Sequence, residues 1–344
     1  MRKLLVVAAV LAAAAAGAGA DGRSAPRDVG VLLVDGQTGA RQRLTAARGS
    51  AAWSSDGRRI YVSGEARGDV RPRLPFAIFD ARGPRIARRV LRTADVATGD
   101  VAVSPDGRRI AYQLPPRDPE LLNTGDLAVA ALRGGRSRRL LSRTSGTPAW
   151  SPDGRRIAVV RLSASEARGD LDRQPARVVV VPLWRGRARV VAVGLAPIWL
   201  RDGRLLVWSG DDLVVVRPDG RGRRTVLRDV RAGEPSWEQS PDGGTLAVAA
   251  AGQGSPRYHL TLVDLAGGRA PRRIGDEQAS DVAWAPDGGR LAIVVADRIL
   301  VVDPSGPAPA RELARIRRRQ LDGLTWSPDG RRLAVTARVP ARED

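Results

Sequence analysis

The chain has 344 residues, 57 of them Lys or Arg against 37 Asp or Glu, for a formal net charge of +20, and only 4% are aromatic. Cysteine is absent, which excludes disulfides, thiolate catalysis and Cys-ligated metals, and the single histidine, His259, excludes a His-rich metal site. So few aromatics disfavour the stacking platforms on which single-stranded nucleic acid is bound.

The N-terminus reads as an export signal: Met1-Arg2-Lys3, an apolar run from Leu4 of about 17 residues, then Ala18-Gly19-Ala20 before Asp21. Cleavage after Ala20 would leave residues 21 onward as an extracytoplasmic, monomeric chain with no membrane span. The competing reading is an uncleaved anchor. The first strand-forming segment, VGVLLVDGQTGARQRLT at 29 to 45, reads as a β-hairpin.

Seven copies of one motif follow: WSSDGRR (Trp53 to Arg59), VSPDGRR (Val103 to Arg109), WSPDGRR (Trp150 to Arg156), WLRDGR (Trp199 to Arg204), WEQSPDGG (Trp237 to Gly244), WAPDGGR (Trp284 to Arg290) and WSPDGRR (Trp326 to Arg332). Their glycines, Gly57, Gly107, Gly154, Gly203, Gly243, Gly288 and Gly330, are 50, 47, 49, 40, 45 and 42 residues apart. Such a period marks a repeated supersecondary unit. Pro fixes φ, Asp bonds back to the backbone and Gly takes the left-handed conformation, so each copy predicts a tight turn between paired strands. A β-rich run follows every turn, from IYVSG at 60 to 64 through IAVVRL at 157 to 162 to LAVTA at 333 to 337, and a second hairpin lies between successive copies.

W-S-P-D-G, a basic pair and an Ile/Leu-Ala-Val strand, seven times over, resembles the TolB-type β-propeller repeat, also found in prolyl oligopeptidase-like peptidases. The resemblance covers residues 28 to 340 and implies an all-β, seven-bladed propeller forming one domain. Each blade has the motif hairpin inside (strands A and B) and the second hairpin outside (C and D). Segment 29 to 45 would complete the blade begun at 324 to 339, closing the ring and removing exposed strand edges. The α/β domain that precedes the TolB propeller, and the hydrolase domain of the peptidases with its G-x-S-x-G elbow, find no counterpart here.

Within such a blade the A-B turns share one face, with Arg58, Arg59, Arg108, Arg109, Arg155, Arg156, Arg331 and Arg332 on it, and Trp184 in the C-D turn beside them. That face would dock an anionic polymer, or would merely be solvated. The Trp184 indole would contact a partner or fold back onto the neighbouring strand. The motif tryptophans are expected to pack between blades. Three residues before the motif Trp the copies read Ser50, Asp100, Thr147, Ala196, Glu234, Asp281 and Gly323, so Asp100, Glu234 and Asp281 form a candidate binding site at the channel mouth. The competing role for these carboxylates is to bond the ends of the inner strands. His259 is expected to be a strand histidine with an ordinary partner.

These readings lead to an exported, non-catalytic binding or scaffold protein that docks a protein or an anionic cell-envelope polymer, needing no cofactor and no metal. The alternatives are a propeller enzyme of lactonase, lyase or glycosidase type with a carboxylate or metal site in its channel, and a membrane-anchored sensory ectodomain.

Overall fold

The computed structural model describes residues 29–46, 49–64, 76–81, 89–91, 101–116, 124–132, 136–163, 176–230, 235–252, 257–306 and 309–340. The signal segment lies outside them. Every regular element among these residues is a β-strand. The chain divides into two compact units, one built chiefly from residues 90–228 and the other from 21–64, 77–89 and 229–344.

All seven motif turns form, and all seven glycines have positive φ, from 64° at Gly107 and Gly154 to 82° at Gly203. Each turn is closed by two backbone bonds, as where Ser151 N donates to Arg156 O and Gly154 N to Ser151 O. The aspartate accepts from the backbone two residues on, Arg155 N to Asp153 Oδ1 at 3.0 Å. The serine has a role that the motif alone did not disclose. Ser151 is fully buried. Its hydroxyl donates to Asp153 Oδ1 and accepts from Arg156 N at 2.9 Å, so it ties the carboxylate to the start of the next strand. Ser54, Ser104, Ser240 and Ser327 repeat the arrangement. Leu200 and Ala285 stand where the other copies have serine, and there only the backbone and aspartate bonds remain.

In the first unit, four strands fan out from Leu195–Trp199 in chain order to Arg224–Leu227, and a seven-stranded sheet runs from Ala102–Val103 to Arg189–Val193. The larger sheet arises because the 13-residue strand Arg138–Trp150 serves two neighbours. Its first half pairs with Gly125–Ala131 and its second with Arg156–Arg161. Positive φ at Arg143 (57°) and Gly146 (71°) bends it between the two roles.

The second unit holds four four-stranded sheets. Three follow chain order. The fourth joins the two ends of the described chain, with Gly30–Asp35 antiparallel to Arg332–Arg338 in the register Gly30↔Ala337 to Asp35↔Arg332.

The inner strands are buried on both faces, which explains their near-continuous apolar sequences. Along Arg156–Arg161, Ile157 and Val159 pack with Ala111, Leu127 and Trp150 on one side. Ala158 packs with Leu205, Val207 and Val214 on the other. Sheet therefore stacks on sheet in layers, each buried Val or Ile contributing about 1.5–3 kcal/mol. Outer strands such as Arg41–Thr45 are largely exposed and correspondingly polar.

The serine contribution is testable by exchange between copies. Ser151→Ala removes the acceptor for a backbone N–H and should cost about 1–2 kcal/mol in urea unfolding, whereas Ala285→Ser should be neutral or stabilise by up to about 1 kcal/mol. Equal, negligible effects of both changes would show that backbone bonds and Asp-Gly geometry suffice.

Candidate functional site

The turn arginines fall into two kinds. The first after Asp-Gly is exposed in Arg58, Arg108, Arg155 and Arg331. Among the described residues these four side chains form no ion pair or hydrogen bond, because the nearby aspartate is already held by serine and backbone. The second arginine turns back onto the protein. Arg109 and Arg156 approach their own aspartates at 3.4 and 3.6 Å, and Arg290 does so at 2.8 Å. The same three guanidiniums lie over indoles of the following copy: Arg109 over Trp150 at 5.8 Å, Arg156 over Trp199 at 4.9 Å and Arg290 over Trp326 at 5.1 Å. Arg59 and Arg332 stay exposed.

The motif tryptophans are structural in three further contacts. Trp150 Nε1 donates to Ala102 O, Trp199 Nε1 to Ala149 O and Trp284 Nε1 to Glu238 O, at 3.0–3.1 Å. The acceptor is always the residue before the Trp position of the preceding copy.

That regularity exposes a slip in the motif alignment. Gln239, not Trp237, pairs with the second residue of the following strand, Leu246, as Trp150 pairs with Ile157. Trp237 therefore lies two residues upstream of the common position, because WEQSPDGG carries two extra residues between Trp and Ser. The same slip puts Ser236, rather than Glu234, level with Asp281.

Asp100 and Glu234 lie outside the described residues. Asp281 is 9% exposed and sits at the start of strand Asp281–Trp284. It accepts from the Ser236 hydroxyl and from Val282 N and Leu324 N at 2.8 Å. Ser236 and Asp281 begin two successive inner strands and Leu324 lies within the next, Gln320–Trp326, so this carboxylate bonds neighbouring inner strands together. Burial pushes its pKa up, against the bonds from Leu324, Ser236, Val282 and Gly323 that pull it down.

Trp184 is 70% exposed, and does not fold back onto its neighbouring strand. Its ring lies beside Arg109 at 5.3 Å and Arg138 at 5.8 Å. The His259 Nδ1 is buried without a hydrogen-bond partner, contrary to the ordinary partner expected for it. Burial, then Arg273 and Arg257, hold the imidazole below its usual range, with Asp276 opposing, so it is neutral near pH 7.

One cleft of about 470 Å³ lies in the second unit, where the turns around Gly57 and Gly330 meet. Trp53, Asp56, Arg58, Ala81, Asp329 and Arg332 line it.

No family model and no curated protein matches the chain. Solved structures do. An oligogalacturonate lyase in complex with manganese is 15% identical, with TM-score 0.63 over 90% of this chain and 96% of its own. The oligogalacturonate lyase of Vibrio parahaemolyticus is also 15% identical, with TM-score 0.61 over 91% and 99%. The β-propeller domain of the Pyrococcus furiosus Trilobed protease is 14% identical, with TM-score 0.57 over 87% and 99%. The fold is thus that of β-propeller proteins.

These structures overturn the expectation of a non-catalytic chain. That expectation rested on the lack of an appended catalytic domain, yet two lyases are matched over almost their whole length. The propeller by itself is an enzyme scaffold. The manganese of the first lyase finds no group of three His, Cys, Asp or Glu side chains among the described residues here.

Asp281 provides a pH test. Its raised folded pKa means that its contribution to stability is full below the ordinary carboxylate range and falls as pH rises through the raised value. Asp281→Asn cannot ionise and loses acceptor capacity for the Leu324 and Gly323 amides, so it should cost about 1–3 kcal/mol at acid pH and less as pH rises. Urea unfolding across that pH range measures it, and a pH-independent difference would contradict the assignment.

Proposed function

We propose that this chain is a propeller enzyme acting on an anionic saccharide chain, of polyuronate type, outside the cytoplasm. The reading takes residues 28 to 340 as one seven-bladed domain, closed by the pairing of Gly30–Asp35 with Arg332–Arg338 and preceded by a cleaved signal at 1 to 20. Among the described residues no helix is long and apolar enough to cross a membrane. Kinship with the TolB-type repeat rests on the repeated motif.

The observation that carries the substrate class is the spare cation at the turns: Arg108 and Arg155 in the first unit, and Arg58 and Arg331 in the second, are exposed and form no ion pair or hydrogen bond among the described residues, and Arg109 and Arg156 beside the first two are stacked. A chain of carboxylates complements such cations. The full-length likeness to oligogalacturonate lyases supports an eliminative reaction on that substrate. In such a step a base removes the proton α to the uronate carboxylate, the electron pair forms the C4–C5 double bond, and the C4–O bond breaks, the leaving oxygen taking a proton from solvent to depart as an alcohol. A guanidinium next to the carboxylate neutralises the charge that builds up there.

His259 lies at the end of strand Tyr258–Asp264 away from the Gly243 turn, opposite Ala250, and so takes no part at the turn arginines. Asp100, Glu234 and Asp281 keep a place in the proposal as carboxylates that would receive a basic or hydroxylated group.

Oligogalacturonate should be converted to product with the ultraviolet absorbance of a conjugated uronate. Arg108→Ser, Arg155→Ser and Arg331→Ser together should raise KM by roughly five- to tenfold at low salt, an effect that added salt mimics. A purified protein that leaves every polyuronate tested intact would overturn the reading.

A further inference from the structure

The cleft lies at one of the contacts between successive turns, those of Gly57 and Gly330. Successive turns touch in the same way along the second unit: a side chain placed on Gly288 would meet Pro241, one on Gly330 would meet Pro286, and one on Gly57 would meet Pro328 at 3.6 Å. At the Pro286 contact the second turn arginine, Arg290, covers the indole of the next copy. At the Pro328 contact it does not. Arg332 is exposed and donates to Ala81 O at 3.4 Å, and among the described residues no cation lies over the Trp53 ring. Trp53 lines the cleft.

The polar groups around it are of both kinds. Arg58 and Arg332 supply donors only, and Asp56 and Asp329 supply acceptors only. Bonds from the Ser54 hydroxyl and Arg58 N hold Asp56 below the usual carboxylate range. Asp329 is pushed up by partial burial, but the Ser327 hydroxyl and Arg331 N outweigh this and hold it low as well. Two cations and two anions cancel, so the cleft is not built for a bare anion. Groups that donate and accept at once, flanking an apolar ring, match these walls. Vicinal hydroxyls on a pyranose are such groups.

We propose that this cleft binds one hexopyranose residue of a saccharide chain, its ring face on the Trp53 indole and its hydroxyls shared between Asp56 or Asp329 and Arg58 or Arg332. The volume, about 470 Å³, suits a small ligand. This deepens the proposed saccharide function, and places a binding subsite on the turn side independent of the group that performs the chemistry.

Calorimetric titration of the full chain with a neutral galacto-oligosaccharide and with oligogalacturonate tests the site. Arg58→Ser and Trp53→Leu should each weaken binding of both ligands about tenfold, the aromatic platform and the donor each being worth a factor of that order. Trp53 contributes to the core, so its variant counts only if its melting transition is retained. Arg58→Ser touches no packing and keeps the test open if Trp53→Leu does not fold. Wild-type affinity in a folded variant, or failure of the wild type to bind either sugar, would overturn the subsite. If wild type turns over oligogalacturonate while both variants keep its KM, the subsite falls and the enzyme reading stands. Binding lost in the variants without turnover in the wild type would support the subsite and remove the enzyme.

Discussion

Everything in this chain hangs on one reversal, the Asp-Gly turn. Glycine alone among the residues takes φ between 64° and 82° without cost, and all seven motif glycines use it. Once the chain reverses there, the aspartate carboxylate caps the next amide and the pairing register of the two inner strands is set. The first residue beyond the turn then always faces the residue just before it, as in Trp53↔Ile60, Trp199↔Leu205 and Trp326↔Leu333. An indole at that position reaches a carbonyl of the preceding copy at Trp150, Trp199 and Trp284, whereas the Trp53 and Trp326 Nε1 atoms are buried without a partner.

The copies differ in how much they add to that minimum. Serine adds a buried hydroxyl between carboxylate and strand, and the second arginine adds a cation over the next indole. Neither is universal. Leu200 and Ala285 show that the reversal forms without the hydroxyl, while Val103 and Gln239 show that it forms without an aromatic. The additions cost little to omit singly because each is worth on the order of 1 kcal/mol, against a core of continuous buried strands.

The all-β architecture was legible because turn chemistry repeats at nearly constant spacing and because two-sided burial demands unbroken runs such as Val178–Val181. What was not legible came from local insertion and from strand continuity. Two extra residues in WEQSPDGG shift Trp237 off the common position and bring Ser236 level with Asp281, which a spacing counted from the tryptophan cannot detect. Nothing in RRLLSRTSGTPAW announces that one strand will serve two neighbours, since Arg143 is not a residue expected at φ 57°. Catalysis was misjudged for a different reason. Counting cysteines and histidines tests for particular chemistries, and a scaffold matched end to end by lyases needs neither a thiolate nor a second domain.

The distribution of charge also separates two tasks that net charge merges. At most turns the aspartate is consumed by the fold, which leaves one arginine over. Arg108 and Arg155 in the first unit and Arg331 in the second are left over in this way, cations suited to attract a polyanion by a long-range force that salt would weaken. At the Trp53 cleft the balance is even, and attraction gives way to directional hydrogen bonds around an apolar floor. A charged saccharide needs both: carboxylates recognised at intervals by spare guanidiniums, and at least one ring held in a fixed orientation. A site made of cations alone would grip any polyanion in any register. An even-charged cleft selects for the sugar ring itself, which is the discrimination that a saccharide-specific enzyme requires and that net charge cannot supply.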